Sequence, residues 1–361
     1  MILFLEYFSG RIRGGEVYNL HLYSFLRKRF PDFEPREISS IPPDLSNPFK
    51  HLIQSLALVK EKKPEIIVLD VSSGARNLLA VRWIKKNKMK VLLVVQEERL
   101  NLRSNFILVK WFVRRCEKYL VKNTDIFVVN SKYSANLVSK KGASENSECI
   151  IAHPGLENYS PLSSEIADRK GVIENPVNLL FVGVCKETKG VIYLVKAISL
   201  LKDLNIKLNI VGSYSSTSSY YKKIKKIIDQ NNLQDRIQFH GFVEREQLLK
   251  LYRQSAIYVH ASLMEGYGMV LAEALCFGLP IVASTAGAIP ELVADGVNAV
   301  LVKPKDSKGI AAGIRRLIED ENLRESMSRT NLEKAKSLPT WDDFDRIMEE
   351  RLAPLIEKLP R

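Results

Sequence analysis

Glu265 and Glu273 enclose the seven residues Gly266-Tyr267-Gly268-Met269-Val270-Leu271-Ala272, and this stretch carries the most chemistry in the chain. The apolar run Ile257-Tyr258-Val259 before it reads as a buried strand. Gly266 and Gly268 then break the chain, and an apolar segment continues to Phe277, where Gly278 and Pro280 stop it. A strand, a glycine turn and a helix start present unpaired N–H groups and a partial positive charge, and the glycines let an anion come close. The expected helix start, Tyr267-Gly268-Met269-Val270, would suit a phosphate. Glu273 falls about 7–8 Å further along the axis at 1.5 Å per residue. Carboxylates do not hold phosphate but accept hydrogen bonds from hydroxyls, so the pair fits a phosphate flanked by hydroxyl-bearing rings, as in a sugar nucleotide. Glu273 is the only charged residue from Gly266 to Pro280. A buried carboxylate without partners is costly, and ligand hydroxyls are expected to supply them. Taken alone, Glu273 fits a surface or lysine-paired carboxylate equally well; its spacing from Glu265 and the two glycines favours the ligand.

Two further loops have the same form. In Phe181-Val182-Gly183-Val184-Cys185-Lys186-Glu187-Thr188-Lys189-Gly190, a strand and turn lead to a helix at whose opening Lys189 could neutralise a diphosphate, where an isolated lysine would otherwise face solvent. In Ser9-Gly10-Arg11-Ile12-Arg13-Gly14-Gly15-Glu16, the paired glycines after the first strand fit a plain turn or an anion or sugar ring.

With Phe277-Gly278-Leu279-Pro280-Ile281-Val282-Ala283-Ser284 and Gly287-Ala288-Ile289-Pro290-Glu291 following in order, the Glu265–Glu273 stretch closely resembles the E-x7-E region of retaining glycosyltransferases of family 4. The resemblance spans nearly the whole chain and is dense from 178 to 304. It implies the GT-B fold, an α/β architecture of two facing Rossmann-like domains with parallel sheets and an interdomain cleft. It also implies a metal-independent, cofactor-free enzyme moving sugar from a UDP-, GDP- or ADP-sugar to a glycan or lipid-linked acceptor. By the resemblance Glu265 would hold donor-sugar hydroxyls and Glu273 the ribose. Lys189, the turn from Gly266 to Val270 and the Gly14-Gly15 loop would face the phosphates, with Gly183 in the turn before Lys189. Gly287 and Ala288 would line the donor pocket, and Phe242 and Val243 would meet the nucleobase. Two positions depart from the family pattern: Val184 stands where an arginine is usual, leaving that contact to Lys186 or to nothing, and Gln96 stands where many members have a donor-contacting histidine. Gln96 can donate the same hydrogen bond. The alternative is a nucleotide-sugar-binding subunit or another GT-B enzyme without independent transferase activity.

Alternating strands and helices must position these residues, which implies parallel sheets that bind ligands at their strands' carboxyl ends. Strands are expected at Ile2–Tyr7, Glu65–Val71, Val91–Val95, Ile126–Asn130 and Cys149–Ala152, then at Asn178–Val184, Lys207–Val211, Arg236–Phe239, Ile257–Val259, Ile281–Ser284 and Ala299–Val302. The 361 residues exceed what one core usually organises. We expect an acceptor-side domain over 1–160, a linker over 161–177, a nucleotide-sugar domain over 178–338 and a terminal helix, Trp341–Leu359, crossing back to the first domain. Asp343-Phe344-Asp345 mimics a D-x-D metal motif but falls near a helix start, as surface charge would. His153 is expected to be structural.

The net charge of +13 is uneven: residues 1–172 hold 28 Lys and Arg against 18 Asp and Glu, a net +10. Without a helix-turn-helix, zinc or RNP pattern, nucleic acid is not the expected partner. The segment Phe106–Tyr119 is basic and aromatic. It would either lie on an anionic membrane or pack Phe106, Val109, Val113 and Cys116 on the sheet while its cations face solvent. No apolar run spans a membrane, the start reads as a strand rather than a signal peptide, and the four cysteines form no metal or disulfide pattern. A cytoplasmic protein, peripheral to the membrane face if the basic helix binds it, is expected.

Overall fold

The computed structural model describes residues 2–6, 14–31, 33–37, 48–70, 78–95, 107–156 and 175–358. The chain divides into two compact units, one formed by Met1–Gly155 with Pro339–Arg361 and the other by Leu156–Leu338. Most of the expected linker, residues 161–174 of 161–177, lies outside the described residues.

In the first unit the apolar runs become β1 (Ile2–Glu6), β3 (Ile66–Asp70), β4 (Lys90–Val95), β5 (Ile126–Val129) and β6 (Glu148–Ile151). With β2 (Phe33–Glu37) they form one parallel sheet in the order β2-β1-β3-β4-β5-β6. The central strands are continuous Val/Ile/Leu runs because helices cover both faces, leaving Ile67, Val68, Leu92 and Leu93 fully buried. Strand β2 escapes the periodicity argument. Its sequence, Phe-Glu-Pro-Arg-Glu, has no apolar run, and Pro35 cannot donate to a ladder. It is tolerated because β2 is an edge strand paired only with β1.

The second unit contains β7 (Val177–Val182), β8 (Ile206–Val211), β9 (Ile237–Gly241), β10 (Ile257–His260), β11 (Ile281–Ser284) and β12 (Val300–Val302), in the order β12-β11-β10-β7-β8-β9. Chain order reverses between β7 and β10, which pair directly. At such a switch point the connections leave toward opposite faces and open a crevice beyond the strands' carboxyl ends. Lys189 follows β7 and Glu265 follows β10.

The C-terminal segment is not one helix, as periodicity suggested, but Trp341–Ile347, a π-helical turn at Met348–Leu352 and Ala353–Glu357. It belongs to the first unit, where Phe344, Met348 and Leu352 are fully buried beside Leu22, Leu26 and Val68. The π turn keeps Phe344, Met348 and Leu352 on the buried face. Asp343 closes a capping box with Thr340. The Thr340 backbone N–H and hydroxyl, with Arg346, hold its carboxyl down at about 2. The D-x-D text is therefore a helix cap. His153 accordingly serves the fold, with Nδ1 3.0 Å from the Asn130 carbonyl.

The basic helix is Ile107–Lys122. Cys116, Leu120 and Val121 are buried, Glu117 accepts from Lys141 at 2.6 Å, and Arg114 and Arg115 are exposed. The side chains of Phe106 to Val113 lie outside the description, so the membrane-facing half of that reading is not addressed. Among the described residues no helix is long and apolar enough to cross a membrane. All four cysteines are free.

Truncating Phe344 to alanine should cost about 3–5 kcal/mol, and Thr340→Ala about 0.5–2 kcal/mol, read as shifts of the urea midpoint of the first unit. Equal small effects would mean that the terminal segment is not part of that core.

Candidate functional site

Three loops of the second unit meet at Glu265. The loop after β7 carries Glu187-Thr188-Lys189 in a single 3-10 turn, and Gly190 caps helix Val191–Ser199 with a left-handed φ of 66°. A Cβ on Gly190 would lie 1.9 Å from the Ala261 carbonyl oxygen, so only glycine lets this loop reach the one after β10. The Leu263 N–H donates to the Thr188 carbonyl at 2.7 Å and fixes the approach. From the other side, Gly287 (φ 61°) brings the loop after β11 onto Glu265: its Cβ would lie 2.0 Å from the Glu265 carbonyl oxygen, which accepts from the Ala288 N–H at 2.9 Å.

These backbone contacts place side chains that are far apart in sequence. Oε2 of Glu265 accepts from Lys189 Nζ at 2.8 Å, His260 Nε2 at 2.9 Å and Ser262 Oγ at 3.1 Å. The glutamate is 9% exposed. Burial by itself would raise its carboxyl pKa, but the Lys189 charge and the hydrogen bond from His260 outweigh this and hold it well below the usual carboxylate range. Among the described residues, no hydrogen bond reaches Oε1. Glu265 is thus a fixed anion with one oxygen occupied and one in reserve.

Helix Met269–Cys276 starts four residues on, capped by Gly268. It begins two residues later than expected, since Tyr267 is buried in the core beneath it. Its ladder starts with Leu271 and Ala272 donating to the Gly268 carbonyl at 2.9 Å, leaving the amides of Met269 and Val270 ahead of it. Glu273 is half-buried, and a protein group supplies a partner that was expected from ligand hydroxyls or a lysine: Tyr252 Oη donates to its Oε2 at 2.9 Å. Pro290 sits near the start of the short helix Ile289–Leu292 on the loop after β11.

Of the other expected site residues, Gly183 follows β7 and its N–H donates to the Val211 carbonyl at 2.8 Å, and Val184 and Lys186 come next, half-buried. Gly266 is buried between Glu265 and Tyr267. Val243 packs on the core, while Phe242 is 72% exposed. Gly14 and Gly15 open helix Gly14–Arg29 of the first unit. Gln96 lies outside the described residues. Sequence reasoning passed over His260, Ser262, Tyr258 and Tyr252. Tyr258 and His260 had a signal: polar groups two apart on one face of a strand that otherwise reads as buried.

The depressed carboxyl of Glu265 has a signed consequence. Unfolded, it titrates near 4.3; folded, it stays ionised to lower pH, so the unfolded chain binds the extra proton in between. The pair's stabilisation is complete above about pH 5 and is lost as pH falls through the acid range. The melting temperature should drop below pH 5, and less steeply in Glu265→Gln; an unchanged slope would contradict the pairing. Gly287→Ala should cost about 1–3 kcal/mol by thermal melting, since a positive φ is compounded by a backbone clash.

Residues 163–334 match the model of the family described as glycosyl transferases group 1. A D-inositol 3-phosphate glycosyltransferase of Thermobifida fusca (strain YX) is 30% identical over 241 residues, covering 63% of this chain and 55% of that protein, so the chain spans about half of that relative's length. Sucrose-phosphate synthase from Thermosynechococcus elongatus superposes with a TM-score of 0.74 at 18% identity over 99% of both chains. Anabaena Alr3699/HepE, solved in complex with UDP-glucose, superposes at 0.73 with 19% identity, over 98% of this chain and 99% of that one. Residues 163–334, most of the second unit, thus match the glycosyl transferases group 1 family, and the architecture of the chain is that of the GT-B fold.

Proposed function

We propose that the protein is a retaining, metal-independent glycosyltransferase that uses a nucleotide-sugar donor. The observation that carries this reading is the Lys189–Glu265 pair at the switch point, a half-buried cation on a buried anion beside the start of helix Met269–Cys276. The relatives support it through their names, and the UDP-glucose complex of the Anabaena protein supports a UDP-sugar as the first donor to try.

In glycosyl transfer the anomeric C–O bond breaks toward an oxocarbenium ion while negative charge grows on the departing diphosphate. Stabilising that charge is the main task. The Lys189 ammonium, held by Glu265, and the amides that open helix Met269–Cys276 direct positive charge at the phosphate. This positive potential is sufficient without a metal. Oε1 of Glu265 accepts a donor-sugar hydroxyl. Glu273, already steadied by Tyr252, takes the ribose hydroxyls with its remaining lone pairs. Gly287 and Ala288 line the sugar side, and Val243 adjoins the base. The acceptor hydroxyl attacks from the face the diphosphate leaves, its proton passing to a phosphate oxygen, which retains the anomeric configuration. The net +10 of residues 1–172 favours an anionic or lipid-linked glycan acceptor at the cytoplasmic membrane face.

Wild-type protein should melt higher with at least one of UDP-, GDP- or ADP-sugar and hydrolyse it slowly, unaffected by EDTA. Lys189→Ala and Glu265→Gln should each lower turnover about 10²–10³-fold. No thermal response to any nucleotide sugar, or full turnover in both variants, would contradict the reading.

A further inference from the structure

Beyond the residues that would touch the donor, a buried pair stands behind Glu265. His260 ends β10 and is fully buried. Its Nε2 lies 2.9 Å from Glu265 Oε2, and its Nδ1 lies 3.2 Å from the hydroxyl of Tyr258, itself fully buried. The two rings lie 5.9 Å apart at 27°, on the same face of the strand.

The chemistry of the atoms fixes the direction of this chain. A carboxylate oxygen only accepts, so Nε2 must carry the hydrogen. In the neutral imidazole Nδ1 then only accepts, and the Tyr258 hydroxyl donates to it. Burial first, then the nearby charges of Glu273 and Glu265, raise the Tyr258 phenol well above its ordinary range, so it keeps its proton. These bonds join the ring to Tyr258 on one side and, on the other, to Glu265 and through it to Lys189.

The consequence is geometric. Lys189 and Ser262 are tethered by loops, whereas His260 is part of the sheet and is braced from behind. Of the three donors that converge on Oε2, its N–H alone comes from a strand, and a donor held there favours the carboxyl rotation that leaves Oε1 over. We propose that His260, braced by Tyr258, is a positioning residue that orients Glu265 for the reacting sugar. The inference rests on the donor-site reading above, but its predicted signatures are its own.

Three variants test it. His260→Phe keeps a ring and removes the donor; His260→Gln retains an N–H at a similar reach; Tyr258→Phe removes the brace. With a nucleotide sugar that the wild type turns over, His260→Phe should lower kcat 10-fold or more while donor KM changes less than threefold. His260→Gln should recover most of the loss, and Tyr258→Phe should lose severalfold. Equal kcat per folded molecule in wild type and His260→Phe, or no recovery in His260→Gln at equal melting temperature, would overturn the proposal and leave the donor site standing. A readout independent of turnover is the long-range 1H–15N spectrum of the imidazoles. The signal missing in His260→Phe should be that of a ring protonated at Nε2, and it should shift in Glu265→Gln. A ring protonated only at Nδ1 would overturn the proposal even if no donor is ever found, whereas failure of every nucleotide sugar with the expected spectrum intact would count against the donor reading alone.

Discussion

Everything around the site depends on one oxygen atom, Oε2 of Glu265, which holds an ammonium, an imidazole N–H and a hydroxyl within 3.1 Å. A carboxylate buried this deeply survives ionised only because those donors replace water. Their presence in turn requires loops after β7, β10 and β11 to meet at van der Waals distance. That is why Gly190 and Gly287 sit where backbone of one loop touches backbone of the next. The glycines, the switch point and the carboxylate are one constraint seen at three scales.

The same constraint explains why Lys189 is more than a surface cation. Paired with Glu265 at 16% side-chain exposure, it is held in one place at the mouth of three loops. A buried ion pair is weak evidence for stability, because removing two charges from water costs about as much as their attraction returns. Its persistence at a crevice, beside the start of helix Met269–Cys276, is better explained by what it can bind than by what it adds to the fold.

Much of this was legible in the amino-acid order, and the gaps have physical causes. Apolar runs such as Ile66-Ile67-Val68-Leu69 announce buried parallel strands, and glycines after Val182 and Glu265 announce turns. Strand β2 was hidden because an edge strand needs neither an apolar run nor every N–H, so Phe33-Glu-Pro-Arg-Glu carries no periodic signal. The break at Met348–Leu352 was hidden because its apolar spacing reads as helix. At the site, Lys189 and Glu265 could be named singly, but nothing in their order says that they touch across 76 residues. Tyr252 as the partner of Glu273, and His260 as that of Glu265, are tertiary facts that no local pattern encodes.

The claim on which the rest turns is that Glu265 keeps Oε1 for a sugar hydroxyl while the amides opening helix Met269–Cys276 receive the phosphate. A crystal structure of the protein with a nucleoside diphosphate sugar tests it most directly. The account predicts a sugar hydroxyl within hydrogen-bond distance of Glu265 Oε1, a phosphate oxygen on the Met269 or Val270 N–H, and Oε2 still bound to Lys189 and His260. A nucleotide seated elsewhere on the second unit, or one that leaves Oε1 facing only protein, would contradict it.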